Sequence, residues 1–392
     1  MAIPDSGSRL KVAHVITRLC NGGAQENTLH TVRLLDPAKY KVDLISGPIA
    51  GPGGSIEEQV QAMDIEVIRV PELIRDPSPA KDWAALRRLR RIFRQNRYDI
   101  VHTHTSKAGY LGRIAAAQAG VPYIAHTPHG HVFHSYFDIP TTWFFIALER
   151  HAAGKTNRII GLTRREIEDH LQRGIGAREQ YAEIFSGVDM APYQNLANKR
   201  ADQRAELGVS EDDVLVGGVG RLETVKGFTY FVDAARQLAQ AHSRCQFVIV
   251  GDGSLRRHLE ESTGNIRDRF RFLGWRNDVP AVMAALDVLV APSLNEGMGR
   301  VVVEAGAAGT PVVASRVGGI PDLIDHDKTG ILVEPRDAAA VAQAVSALIA
   351  DPEKRRALGA QAREKMFPAY SLQNMVQRIE ALYEEMVYGP TT

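Results

Sequence analysis

The 392-residue sequence carries 44% hydrophobic and 24% charged residues with a net charge of +1, the makeup of a soluble globular protein with room for two domains of ordinary size. A balance so near neutral gives no general case for a nucleic-acid partner, and the slight basic excess lies in the first half. Cys20 and Cys245 stand far apart in no CxxC pattern, which argues against a disulfide framework or a cysteine zinc site and points to the reducing cytosol. The N-terminus lacks the basic and apolar regions of a signal peptide, and no stretch of about 18 apolar residues is available to span a bilayer.

Residues 10–19 contain an apolar strand broken at Cys20-Asn-Gly22-Gly23, and residues 27–35 have helical spacing. The glycine pair is not the G-x-G-x-x-G dinucleotide fingerprint. A tight turn with positive φ at Gly22 or Gly23 is its plainer explanation. Short strands at 42–46 and 66–70 flank a Gly/Pro-rich loop at 47–54 and a helix around 56–63. Strands alternating with helices imply a parallel sheet. Trp83, Leu86, Leu89 and Phe93 then recur at helical spacing among Arg87, Arg88, Arg91 and Arg94, with no acid from Ala84 to Arg97. A solvated outer face explains that helix; contact with an anionic bilayer surface is the sharper alternative.

A buried strand at 98–101 runs into His102-Thr-His104-Thr-Ser-Lys-Ala-Gly, with a small-residue helix at 111–119. The strand at 123–125 runs into His126-Thr-Pro-His129-Gly-His131-Val-Phe-His134. Six of the 13 histidines thus fall at the carboxyl ends of two successive strands, where open α/β sheets place ligands. No H-E-x-x-H or cysteine partner accompanies them, so hydrogen bonding to a sugar or phosphate by His126 or His129 is preferred to a metal site. The aromatics Phe133, Tyr136, Phe137, Trp143, Phe144 and Phe145 are read as core, with an acceptor mouth or lipid contact as the alternative. After a strand at 158–162, a helix at 164–173 and a strand at 182–185, a polar connection at 195–213 marks the domain boundary.

The second half repeats the pattern. A strand at 214–219 ends in Gly220-Arg221-Leu-Glu-Thr-Val-Lys226-Gly227, followed by a helix at 228–241. Two cations at the mouth of a strand and beside a helix N-terminus favour an anion between them. Further strands end at Gly251-Asp-Gly253, at Gly274 and at Ala291, and others follow at 311–315 and 330–333. The decamer Asn295-Glu296-Gly297-Met298-Gly299-Arg-Val-Val-Val-Glu304 reads as a strand-to-helix turn: Glu296 in the loop, glycines that let backbone approach a ligand, and Glu304 inside the helix. Helices at 338–350 and 355–366 precede the interruption Pro368-Ala-Tyr-Ser371, and Ser371 caps a final helix.

Gly220-Arg221 with Lys226-Gly227, then Gly251-Asp-Gly253, then Glu296 and Glu304 together resemble the retaining glycosyltransferases of family 4, which have the GT-B fold. The likeness runs along nearly the whole chain. His102-Thr-His104-Thr-Ser-Lys-Ala-Gly resembles a subgroup that makes bacterial surface polysaccharides. The resemblance implies an α/β GT-B fold with two Rossmann-like domains whose parallel sheets face a central cleft, residues 1–195 completed by the helix at 371–392, and residues 196–370. It implies transfer of a hexosyl unit from a nucleotide sugar, a UDP-sugar, to a glycan, lipid-linked or small-molecule hydroxyl, without metal or other cofactor. Arg221 and Lys226 would hold the diphosphate, Glu304 the ribose, and Glu296 with the backbone of Gly297, Met298 and Gly299 the donor sugar. His126, with His129 next, would stand beside that sugar, and Gly22, Gly23, Gly220 and Gly253 would form the ligand-facing loops. The protein is expected in the cytoplasm, with possible peripheral contact at the anionic inner membrane face and no nucleic-acid partner. A sugar-nucleotide epimerase of the same fold and a non-catalytic nucleotide-sugar-binding protein are the alternatives.

Overall fold

Runs such as Val-Ala-His-Val-Ile and Val-Leu-Val-Ala, too apolar to leave either face in water, become parallel strands covered by helices on both sides. The computed structural model describes residues 9–20, 22–48, 56–130 and 139–390. The chain divides into two units, residues 1–187 with 372–392 and residues 188–371.

The first unit contains β1 (Leu10–Ile16), α1 (Gly23–Leu34), β2 (Tyr40–Ser46), α2 (Glu57–Ala62), β3 (Val67–Arg69), α3 (Pro79–Asn96), β4 (Ile100–His104), α4 (Ser106–Ala119), β5 (Tyr123–Thr127), α5 (Ile139–Ala153), β6 (Arg158–Gly161), α6 (Arg164–Gln172) and β7 (Tyr181–Glu183). Its strands pair in parallel in the order β3-β2-β1-β4-β5-β6-β7. The doubly wound order follows from right-handed crossovers that leave β1 in the middle.

The second unit contains α7 (Ala197–Glu206), β8 (Val214–Val219), α8 (Phe228–Ala241), β9 (Cys245–Val250), α9 (Arg256–Ser262), β10 (Phe270–Gly274), α10 (Val279–Ala285), β11 (Val288–Ala291), α11 (Arg300–Ala308), β12 (Val312–Ser315), α12 (Ile320–Leu323), β13 (Ile331–Val333), α13 (Ala338–Ala350) and α14 (Pro352–Met366). Its parallel order, β10-β9-β8-β11-β12-β13, repeats the same winding. The segment at 188–195 lies in this unit. Phe228, Phe231, Phe247, Phe270 and Val345 pack its core.

The last helix, α15 (Leu372–Tyr388), belongs to the first unit. Leu372, Met375, Val376, Ile379, Leu382, Tyr383 and Val387 recur at helical spacing and pack against Leu10, Val12, Tyr40 and Ile100 of the first sheet. Each such side chain stabilises the docking by roughly 1.5–3 kcal/mol. The other face of that sheet is covered by α3 and α4, through Ala85, Leu89, Phe93, Ala108 and Ala115.

Three local expectations fail. Gly22 is extended at φ 168° and Gly23 is the first residue of α1; neither takes the left-handed conformation of a tight turn, because the helix starts four residues earlier than the apolar spacing indicates. Trp83 is 60% exposed, with the Arg87 guanidinium 4.5 Å above its ring, so Leu89 and Phe93 carry the buried stripe without it. Trp143 and Phe144 are 58% and 60% exposed rather than core, since Ile146, Ala152 and Ala153 are the residues α5 turns inward. Phe133, Tyr136, Phe137, His131 and His134 lie outside the described residues.

Candidate active site

Doubly wound sheets bind ligands outside the carboxyl ends of their strands, where the strand order reverses. That point falls between β1 and β4 in one sheet and between β8 and β11 in the other. Chemically capable side chains gather at both.

At the second sheet, Gly220 (φ 154°) turns the chain out of β8 into Arg221. Arg221 is exposed, and its guanidinium makes no hydrogen bond or ion pair among the described residues. One tight turn at Thr224–Lys226 then folds Lys226 back, so that a Cβ on Gly220 would lie 3.8 Å from the Lys226 Cδ. Lys226 Nζ meets Glu296 Oε1 at 2.6 Å, and Ser293 Oγ donates to the same oxygen at 2.8 Å. The Leu294 N–H donates to the Val225 carbonyl at 2.8 Å, which ties the loop after β11 to the loop after β8. Gly253 (φ 159°) sits behind this turn, and a Cβ there would fall 2.6 Å from the Leu222 carbonyl oxygen.

The decamer adopts the expected strand-to-helix turn. Gly299 (φ 90°) is the N-cap of α11, Met298 is buried, and Glu304 lies one turn into the helix with Oε1 3.0 Å from Arg300 Nε. The Gly297 carbonyl accepts from the Gly319 N–H at 3.0 Å. Gly318 (φ 50°) presses so close that a Cβ there would fall 1.7 Å from the Glu296 carbonyl oxygen. Only glycine allows that approach. Ser293, Gly318 and Gly319 are thus part of the site although their residue types alone do not mark them. The signal for the last two was the Val317-Gly-Gly run after a strand.

At the first sheet, β4 and β5 extend further than the apolar pattern indicates, which draws the histidines into the sheet. His102 pairs with Ala125 and His126 with Thr103, and His14, His102, His104 and His126 are all buried. His126 Nδ1 lies 3.1 Å from the Thr103 carbonyl, to which it can donate, and 2.9 Å from Thr103 Oγ1. Its Nε2 has no hydrogen-bond partner among the described residues. The ring is tucked under α4, where a Cβ on Gly109 would come within 2.5 Å of Cε1. His129, by contrast, follows the strand, is partly exposed and has φ 60°. Thr105, at the N-terminus of α4, is also held at positive φ, 62°. Strained non-glycine residues at two adjacent strand ends are a mark of functional loops.

Burial makes this first cluster neutral. It lowers the imidazoles of His14 and His129 to about 3 and those of His102, His104 and His126 well below their usual range. Burial also raises the Glu166 carboxyl to about 7, against the pull of hydrogen bonds from Leu162 and Gly130 N–H. Arg113 of α4 is fully buried, donating to the Gly109 carbonyl at 2.8 Å and paired with Glu149 at 2.6 Å.

Comparison with known proteins places these sites in a family. Residues 199–365 match the family description "Glycosyl transferases group 1", and residues 22–182 match "Glycosyl transferase 4-like domain". The chain is 33% identical over 388 residues to the UDP-Gal:alpha-D-GlcNAc-diphosphoundecaprenol alpha-1,3-galactosyltransferase of Escherichia coli, covering 97% of this chain and 98% of that one. The chain belongs to glycosyltransferase family 4. A D-inositol 3-phosphate glycosyltransferase of Salinispora tropica is 27% identical, over 93% of the transferase and 81% of that protein. HepE of Anabaena, solved in complex with UDP, superposes with a TM-score of 0.83 at 24% identity, over 96% of this chain and all of that one. Sucrose-phosphate synthase of Thermosynechococcus elongatus gives 0.79 at 23% identity, over 96% and 99%. The two parallel sheets of the transferase are those of the GT-B fold.

Proposed function

We propose that the chain transfers a hexosyl unit from a UDP-sugar, with retention of the anomeric configuration, to the hydroxyl of a lipid-linked glycan during surface-polysaccharide synthesis. The observation that carries this reading is the Lys226–Glu296–Ser293 constellation at the second sheet's reversal point, with Arg221 in the same loop as Lys226, in a chain that matches a UDP-Gal-dependent transferase over 97% of its length. When the bond from sugar C1 to the diphosphate oxygen breaks, negative charge grows on that oxygen. The Arg221 guanidinium, which has no hydrogen-bond or ion-pair partner among the described residues, and the Lys226 ammonium would stabilise it. The acceptor oxygen bonds to C1 and its proton passes to the leaving phosphate.

Carboxylates accept hydrogen bonds from vicinal hydroxyls. Glu304 is assigned to the ribose and Glu296, with the backbone at 297–299, to the donor sugar. The histidine role passes to His129, because the His126 ring is enclosed while His129 stands at a strand end. No metal is assigned, since two fixed cations supply the charge that a divalent ion would. No observation favours the epimerase or the non-catalytic reading.

The decisive experiment is incubation of the full chain with UDP-, GDP- and ADP-sugars and a sugar-diphospho-lipid acceptor, with the product anomer read by NMR. Transfer from a UDP-sugar with retention is expected, and transfer only from another nucleotide, or with inversion, contradicts the reading. Membrane contact is proposed through α3, where Trp83 is exposed with Arg87 over its ring and Arg88 and Arg91 are exposed on the same helix, and through α5, where Ile139, Trp143 and Phe144 are exposed. Among the described residues no helix is long and apolar enough to cross a membrane.

A further inference from the structure

Four imidazoles and a phenol in the first unit join in a single unbranched line of hydrogen bonds. Thr127 Oγ1 lies 2.8 Å from His102 Nε2, and His102 Nδ1 lies 2.6 Å from the Tyr383 hydroxyl of α15. That hydroxyl is 3.3 Å from His14 Nε2, His14 Nδ1 is 2.9 Å from His104 Nε2, and His104 Nδ1 is 2.9 Å from His129 Nε2. His129 Nδ1 has no hydrogen-bond partner among the described residues, and His129 is the one member that reaches solvent.

A neutral imidazole has one N–H and one bare nitrogen, and each link in the line needs one proton between its two atoms. No carboxylate takes part, burial keeps the His14, His102 and His104 rings uncharged, and the enclosed part of His129 shifts that ring in the same direction. Tyr383 is fully buried and its hydroxyl has no other partner among the described residues, so its O–H must also donate within the line. Only two proton orders then satisfy every link. In one, Thr127 donates, Tyr383 donates to His14, and all four rings carry the proton on Nδ1. In the other, Tyr383 donates to His102, Thr127 accepts, and all four carry it on Nε2. We infer that His14, His102, His104 and Tyr383 are positioning residues for His129: the line holds four rings in one common tautomer and thereby decides whether His129 offers an N–H or a bare nitrogen to a sugar hydroxyl.

This rests on the assignment of His129 to the sugar made above. His14, His102 and His104 also bring ring nitrogens within 4.8 Å of one another, which is the reach of a metal site. Each of those nitrogens is already engaged in the line, however, and no acid joins them to balance a cation, so hydrogen bonding accounts for the cluster without coordination.

The test is nitrogen NMR of the full chain labelled with 15N-histidine, His129 being identified by the signal lost in His129→Asn. Four neutral rings protonated on the same nitrogen at pH 7 are expected. Tyr383→Phe removes the central hydroxyl; it should split the common tautomer and lower kcat about 10-fold while donor KM stays within about 2-fold. His104→Leu breaks the line at the link beside His129, and serves the same purpose if Tyr383→Phe does not fold. Mixed tautomers in the unmodified protein, a His129 spectrum that neither variant moves, or one zinc per purified chain by elemental analysis would each overturn the inference. The tautomer readout needs no substrate. Full activity in His129→Asn, with the common tautomer intact, would therefore overturn the sugar assignment alone.

Discussion

The two reversal points of this transferase are furnished in opposite ways. At the second sheet the working groups are charged and reach solvent: Arg221 is exposed, and the Lys226–Glu296 and Arg300–Glu304 pairs are only partly buried. At the first sheet they are neutral and enclosed, a line of imidazoles and hydroxyls with a single partly exposed end at His129. A diphosphate needs fixed positive charge, which survives only where water or a counter-charge is at hand. A sugar hydroxyl both donates and accepts, and a neutral imidazole in a defined tautomer answers it without a desolvated charge. One fold, used twice, thus presents a charged cluster at one reversal point and a neutral one at the other, and the proposed function assigns charge recognition to the first and neutral recognition to the second.

The contrast can be broken first at the charged site. Lys226→Ala should lower kcat/KM by about 100-fold or more, because it removes a group whose interaction strengthens as the phosphate leaves. A loss confined to KM would mean that Lys226 only binds. Glu304→Ala is expected to cost about 10-fold, chiefly in donor KM, if it holds ribose in ground and transition state alike; a fall in kcat alone would reassign it.

Acid sharpens the comparison next. A histidine whose folded value lies below its unfolded one contributes stability that is present above about pH 6.5 and is lost as pH falls toward the folded value. His14, buried and lowered to about 3, should by itself cost the first unit about 2 kcal/mol at pH 5. Hydrogen exchange followed from pH 7 to 5 should show protection fading in β1, β4 and β5 while β8 and β11 hold. Equal loss in both sheets would remove the distinction. Ser293→Ala, which deletes one of two contacts to Glu296 Oε1, should be the mildest change, about 3-fold in kcat/KM. Charge reversal at Arg87, Arg88 and Arg91 should weaken binding to anionic vesicles and leave turnover on a soluble acceptor unchanged.

The charged site was largely legible in the sequence and the neutral one was not, for a physical reason. Glu296, Glu304 and Lys226 are polar residues placed where glycine turns interrupt strands, so local pattern finds both the residues and their loops. Whether His102 and His126 lie in a strand or beyond it depends on pairing with neighbouring strands, as His126 does with Thr103 and Ile159. No local spacing reports that. The link from His102 and His14 to Tyr383 joins residues hundreds of positions apart. Trp83 shows the converse: helical spacing marks a stripe, yet Trp83 at its end is exposed while Leu89 and Phe93 are buried.

Calorimetric titration of the full chain with UDP, repeated for Lys226→Ala and Glu304→Ala, tests the donor site most directly. Saturable binding by the unmodified protein, weakened in both variants, is the predicted result. Absence of UDP binding, or an affinity that neither substitution changes, would contradict the account.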